Sequence, residues 1–290
     1  MSDTTAGLSR KINSAGDLQS VVRTMKALAA SSVGQYEKSV QALADYYRTV
    51  ELGLSVCFRE STPAVTARGK IDTEGIGVIV FGSDQGLVGQ FNDVIADFAI
   101  KTLAEMPGKP QVWAVGERVH ARLADAGLPM IGLFAVPNSV QAIAPLVGQI
   151  QIESEAQRAM GEYAGVYVFH NRPQSGAIYE PVSQRLLPLD AEWQADLAKI
   201  RWPTGNVPEV MPEDAATLRP LIREYLFISL FRACAESLAS ENASRLAAME
   251  RAERNIDELL EDLHDTYHRL RQGSIDEELF DVISGFEALA

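Results

Sequence analysis

The sequence predicts an α/β protein: a long antiparallel coiled coil of N- and C-terminal helices plus a Rossmann-like α/β domain. Three observations carry that prediction. All 13 prolines lie between Pro63 and Pro220, an apolar repeat with steps of three and four runs through both ends, and short apolar runs alternate with helical spacing in the middle. The expected division is a coiled-coil helix over 1–62, a globular α/β domain over 63–207 and a second coiled-coil helix over 208–290.

The terminal helices follow from what proline does to a helix. It removes a backbone hydrogen bond and clashes with the preceding turn at a cost of about 3 kcal/mol, so long helices exclude it. In the first segment Val22, Met25, Ala29, Val33, Tyr36, Val40, Leu43, Tyr47, Val50, Leu54 and Cys57 follow one another by three or four. A 3.5-residue repeat held that long marks a coiled-coil seam. The last segment repeats it with Leu246, Met249, Ala252, Ile256, Leu260, Leu263, Tyr267 and Leu270. Helices over 8–58 and 213–289 would reach roughly 75 Å and 115 Å, against a radius of gyration near 19 Å for a compact chain of this length.

The middle reads as strands and helices in alternation. The runs GIGVIVF (75–81), QVWAV (111–115) and GVYVFH (165–170) have turn signals around them and read as buried strands. Helical spacing fills 91–104, 117–126 and 140–160, with Pro145 arguing that the last begins late or kinks. Such alternation implies a sheet with a parallel component. The stretch 177–189 adds an edge hairpin arm, where Pro181 and Pro188 are tolerated.

Composition narrows the function classes. A net charge of −13 argues against sequence-independent nucleic-acid binding, which needs clustered Lys and Arg, and the acidic excess lies in the middle and C-terminal segments. Lacking an apolar run of about eighteen residues, and with an opening unlike a signal peptide, the chain is expected to be soluble and cytoplasmic. Cys57 and Cys234 lie far apart without metal or redox spacing and read as small core residues.

Candidate chemistry is sparse. The turn FGSDQGLVGQFN (81–92) follows a strand and precedes a helix, where a phosphate would be cradled, yet its glycines form neither G-x-G-x-x-G nor a G-K-[ST] loop. It reads as a tight structural turn. His264 and His268, four apart on a helix, lack the H-E-x-x-H pattern and further nearby ligands, so they read as helix surface, while His120 and His170 read as incidental or core-edge. No catalytic, cofactor or metal residue is assigned. Two alternatives stay open beside the family reading given next: a structural coiled-coil interaction protein with an α/β head, and a nucleotide-binding enzyme built on the middle.

The two terminal segments resemble the gamma subunit of F-type ATP synthases. The resemblance rests on LSRKI (8–12) and VRTMKALAAS (22–31) at the start, and on ESLASENASRLAAM (236–249), RQGSI (271–275) and ISG (283–285) at the end. In the middle, GSDQGLVGQFN (82–92) is similar to the family's S-D-x-G-L-C-G-x-F-N element, with Val88 in place of the usual cysteine. The first helix and the acidic balance look most like the alternate ATPase branch of some bacteria and archaea. The resemblance implies a non-catalytic central rotor stalk standing inside a ring of alpha and beta subunits, which carry the catalytic sites. Its foot would meet the epsilon subunit and the c ring, on the cytoplasmic face of the membrane, with no membrane span of its own. It further implies beta-subunit contacts at Met25, Arg245 and Gln272, and a c-ring contact near Val210 and Met211.

Overall fold

The structure, a computed structural model, describes residues 4–60, 75–163, 165–174, 179–189, 191–206, 208, 210 and 214–287. In chain order the elements are α1 (Thr5–Glu60), β1 (Gly75–Phe81), α2 (Phe91–Glu105), β2 (Lys109–Val115), α3 (Glu117–Asp125), β3 (Met130–Phe134), α4 (Val140–Ala159), β4 (Gly165–Pro173), β5 (Tyr179–Leu187), α5 (Ala191–Ala198) and α6 (Asp214–Glu287). The two long helices expected from proline exclusion are therefore present as α1 and α6.

Their burial follows the seven-residue period of the sequence. Along α1, Leu8, Ala15, Val22, Ala29, Tyr36, Val50 and Cys57 are buried, each a multiple of seven from the last. Along α6, Ile228, Ala235, Asn242, Met249 and Ile256 do the same. A residue turned inward at every seventh position is one of the two per heptad that a coiled-coil seam uses, with Asn242 the polar member of these series.

The chain packs as two compact units, Met1–Ala29 with Arg245–Ala290, and Ala30–Ser244. The division falls within α1 and α6, whereas the expected boundaries at 62 and 207 follow element ends. In the larger unit, five strands lie in the order β3-β2-β1-β4-β5. β1 pairs in parallel with β2 and β4, β2 pairs in parallel with β3, and β5 runs antiparallel to β4 as the expected edge arm. On one face Ile76, Val78 and Val80 pack against Ile95 and Ala99 of α2 and Val119 and Leu123 of α3. On the other, Ile79 and Phe81 share a core with Ile143, Val147 and Ile150 of α4 and with Leu230, Cys234 and Leu238 of α6. Both cysteines are buried, as their reading as core residues required.

Three details depart from the expectations. α4 starts at Val140 and carries exposed Pro145 at its sixth position, so the helix does not begin late. On that wet side, water can satisfy the carbonyl that the proline leaves without an N–H. β3 gave no sequence signal, being five residues long with Gly132 at its centre. That glycine is required by close approach, because a Cβ there would sit 2.5 Å from the Trp113 ring. α5 was also unforeseen; Leu197 on it enters a third core with Val50, Leu54 and Cys57 of α1 and Leu218, Tyr225 and Ile228 of α6.

Candidate functional site

In a doubly wound sheet, ligands bind outside the carboxyl ends of the strands where the strand order reverses. Here that point lies between β1 and β4, because β2 and β3 extend to one side of β1 and β4 and β5 to the other. The loop after β1 is the glycine-rich turn, and its polar groups are used internally. Asn92 accepts from the Ser83 backbone N–H at 2.9 Å and donates to Ser83 Oγ at 2.8 Å. Asp84 accepts from the Glu117 N–H at 3.0 Å, at the start of α3, and from the Val136 N–H at 2.9 Å. Gly116, at φ +114°, brings its backbone so close to Ser83 that a Cβ would lie 2.7 Å away. The turn is structural, as read from the sequence.

The chain's own α6 fills the crevice beside this turn. Ser244 Oγ donates to the Val88 carbonyl at 2.5 Å, Ser240 Oγ donates to the Asn171 carbonyl at 3.0 Å, and Asn171 Nδ2 donates to the Phe91 carbonyl at 3.0 Å. One turn earlier on the same helix face stands Glu236, buried within the sheet contact. It meets His170 Nε2 at 2.8 Å, Arg232 Nε at 2.7 Å and Arg172 Nε at 3.5 Å. Burial alone would raise the Glu236 carboxyl, but the hydrogen bonds from His170 and Arg232 and the charges around it outweigh that and pull it down to about 2. Burial likewise lowers His170, more than its bond to Glu236 raises it, so the imidazole is neutral near pH 7 and donates through Nε2. Arg232, Glu236, Ser240 and Ser244 thus form a polar stripe with a spacing of four along α6. Sequence reading missed it: His170 read as incidental or core-edge, and it is buried, but its partner is a carboxylate 66 residues away.

The smaller unit is the terminal coil. Val22, Met249 and Ile256 form its buried core, with Met25, Ala248, Ala252 and Leu260 packed around them. Glu253 takes both Arg23 Nε and Lys26 Nζ at 2.8 Å, and Gln19 Nε2 donates to Asp257. Moving four residues down α1 from Arg23 to Gln19 moves four up α6 from Glu253 to Asp257, so the pair is antiparallel. Continued at the same pace, this register sets Thr5, the first residue of α1, opposite about residue 271. α6 runs on to Glu287, and residues 268–284 are exposed throughout. Ile275, Leu279, Val282 and Ile283 lie at helical spacing on this stretch, each about half exposed.

The residues singled out from the sequence do not form one site. Met25 is half-buried in the coil core, Arg245 is half-buried at the α6 entry to the coil, and Gln272 is exposed just past the point where α1 ends. Arg245 and Gln272 stand 27 residues apart on one helix, about 40 Å. Val210 packs partly buried against the third core, and Met211 lies outside the described residues. His264 donates from Nδ1 to the Leu260 carbonyl at 2.7 Å and His268 lies exposed beside the Tyr267 ring, so both belong to the helix surface.

A family model described as ATP synthase matches residues 4–289. The ATP synthase gamma chain of Brucella anthropi is 29% identical over 296 residues, covering 97% of this chain and 98% of that one. The chain belongs to the ATP synthase gamma family. The gamma chain of Rhizobium johnstonii is 28% identical, covering 97% and 98% of the two chains. Among solved structures, a chain of the Euglena gracilis mitochondrial ATP synthase matches 98% of this gamma-family chain and 94% of its own length, with a TM-score of 0.68 at 15% identity. A chain from the central stalk and c-ring structure of the Tetrahymena thermophila enzyme gives 0.57 at 20% identity, over 80% and 99% of the two lengths. These distant structures share the gamma fold, with its long terminal helices on a central sheet. No helix among the described residues of this gamma-family chain is long and apolar enough to cross a membrane.

Proposed function

We propose that the chain is the central rotor stalk of a rotary, ion-translocating ATP synthase, transmitting torque between a c ring and catalytic sites held on beta subunits. The observation that carries this reading is the free end of α6. Past about residue 271 the helix has no partner from α1 among the described residues, yet it keeps an apolar stripe of Ile275, Leu279, Val282 and Ile283 beside the acidic Asp276, Glu277, Glu278 and Asp281. A single amphipathic helix about 24 Å long beyond its partner is a surface made for a surrounding sleeve. Alpha and beta subunits supply that sleeve in this reading. Apolar contacts suit turning because they impose few directional bonds.

The shaft itself performs no chemistry. It biases each neighbouring nucleotide site by contacts whose energies differ between open and closed states. Met25, Arg245 and Gln272, spread along the coil, are the beta-subunit contacts of this proposal. The epsilon subunit and the c ring meet the globular unit, with Val210 and Met211 toward the c ring, on the cytoplasmic face of the membrane. The filling of the β1/β4 crevice by Ser240 and Ser244 supports this stalk reading over a nucleotide-binding enzyme.

Adding the full chain to purified alpha and beta subunits tests the proposal. A one-to-three-to-three complex whose hydrolysis depends on the chain is expected. A self-sufficient homodimer that ignores both subunits would instead identify a structural coiled-coil protein with an α/β head.

A further inference from the structure

We propose that the polar stripe Arg232–Glu236–Ser240–Ser244 is the key that locks α6 rotationally to the sheet and lets the globular unit carry torque, a role that rests on the rotor reading above. The apolar part of the same contact, Leu230, Ala233, Cys234, Leu238 and Ala239, is non-directional and built largely from small side chains. Such a surface lets a helix lie close, but it resists turning about the helix axis only through the shape of its packing. The stripe adds what packing lacks. Over 12 residues, about 18 Å of helix, it engages four separate groups: the side chains of His170 and Arg172, the carbonyl of Asn171 and the carbonyl of Val88. A turn of one residue, 100°, would break all of them at once.

That turn would also strand a buried charge. Glu236 is 4% exposed, and its ionised form is held by the Arg232 and Arg172 guanidinium groups and the His170 N–H. The turn takes the carboxylate from His170 and Arg172 and leaves it only Arg232, which lies on α6 and moves with it, so a buried charge loses two of its three partners, the costly direction for charge burial. The two serines set the position along the helix, since each donates to one backbone carbonyl and neither carbonyl can shift without moving β4 or the glycine turn. Glu236, Ser240 and Ser244 are accordingly positioning residues that act through the orientation of α6.

The test uses the assembled, membrane-reconstituted complex and three versions of the chain. Glu236→Gln keeps the shape and removes the charge, Ser240→Ala with Ser244→Ala removes the two carbonyl bonds, and Leu238→Ala loosens the same helix–sheet contact without touching the stripe. Thermal stability, ATP hydrolysis rate and ions pumped per ATP against a rising opposing gradient are read for each. Leu238→Ala should lower the melting temperature and leave the pumping ratio unchanged. The two stripe variants should hydrolyse ATP yet slip under load about tenfold more often than wild type, the factor implied by loss of one charge-assisted bond in Glu236→Gln or of two neutral ones in the serine pair. Equal pumping ratios in stripe and Leu238 variants would overturn the key while leaving the rotor intact. Should Glu236→Gln fail to assemble, the serine pair decides alone. A wild-type complex that never couples hydrolysis to pumping would instead overturn the rotor reading itself.

Discussion

Changing Ile275→Ser, Leu279→Ser and Val282→Ser together separates a helix that stabilises the chain from one that waits for a partner. These side chains are 54%, 57% and 57% exposed, so in the free chain less than half of their transfer free energy is realised. Helix propensities of the residues involved differ by a few tenths of a kcal/mol each. The free chain should therefore lose just under about 1 kcal/mol for each, about 2–3 kcal/mol for the three. In a sleeve the balance is different. Full burial of such a side chain is worth about 1.5–3 kcal/mol, and completing it from half exposure gives about 1 kcal/mol each, about 3 kcal/mol for the three. Affinity for an alpha–beta ring should fall roughly a hundredfold. Thermal melts of the free chain and equilibrium titration of the ring with labelled chain measure the two halves. An unchanged ring affinity would refute the reasoning.

Three further outcomes are expected. Acid should weaken the larger unit in two stages, because both groups at its buried pair have lowered folded pKa values: stability assigned to His170 is lost as pH falls below about 6.5, and that of Glu236 between 4.5 and about 2. Urea melts of wild type and Glu236→Gln across this range should differ by about 3 kcal/mol at neutral pH and converge near pH 2, and parallel curves would contradict the pairing. Leu87, exposed at the tip of the glycine turn with φ 63°, should gain from Leu87→Gly, which relieves about 1 kcal/mol of left-handed strain and raises the melting temperature by roughly 2–4 °C. Met25→Lys, which sets a charge among Val22, Met249 and Ile256, should lower the ratio of ion transport to hydrolysis in a reconstituted complex, and an unchanged ratio would remove Met25 from the proposed contacts.

Much of this protein was legible because its signals are local or periodic. Proline exclusion and the heptads depend on neighbours within two turns, and they named both long helices, whose buried positions then fell every seven residues. β1, α2 and α3 announced themselves by apolar runs and spacing for the same reason. β3 did not, since its Gly132 is explained only by Trp113 on the adjacent strand. The family motifs were contiguous strings and therefore readable.

What tertiary structure alone decided is where separated segments meet. His170 and Glu236 are 66 residues apart, and Ser244 and Val88 are 156 apart. No periodicity links such pairs, because their energy arises only when burial removes water from both. The same holds for the end of the shaft. Sequence marks Ile275 to Ile283 as apolar and helical, but only the antiparallel register, fixed by Gln19, Arg23 and Lys26 against Asp257 and Glu253, shows that among the described residues α1 reaches no further than about residue 271.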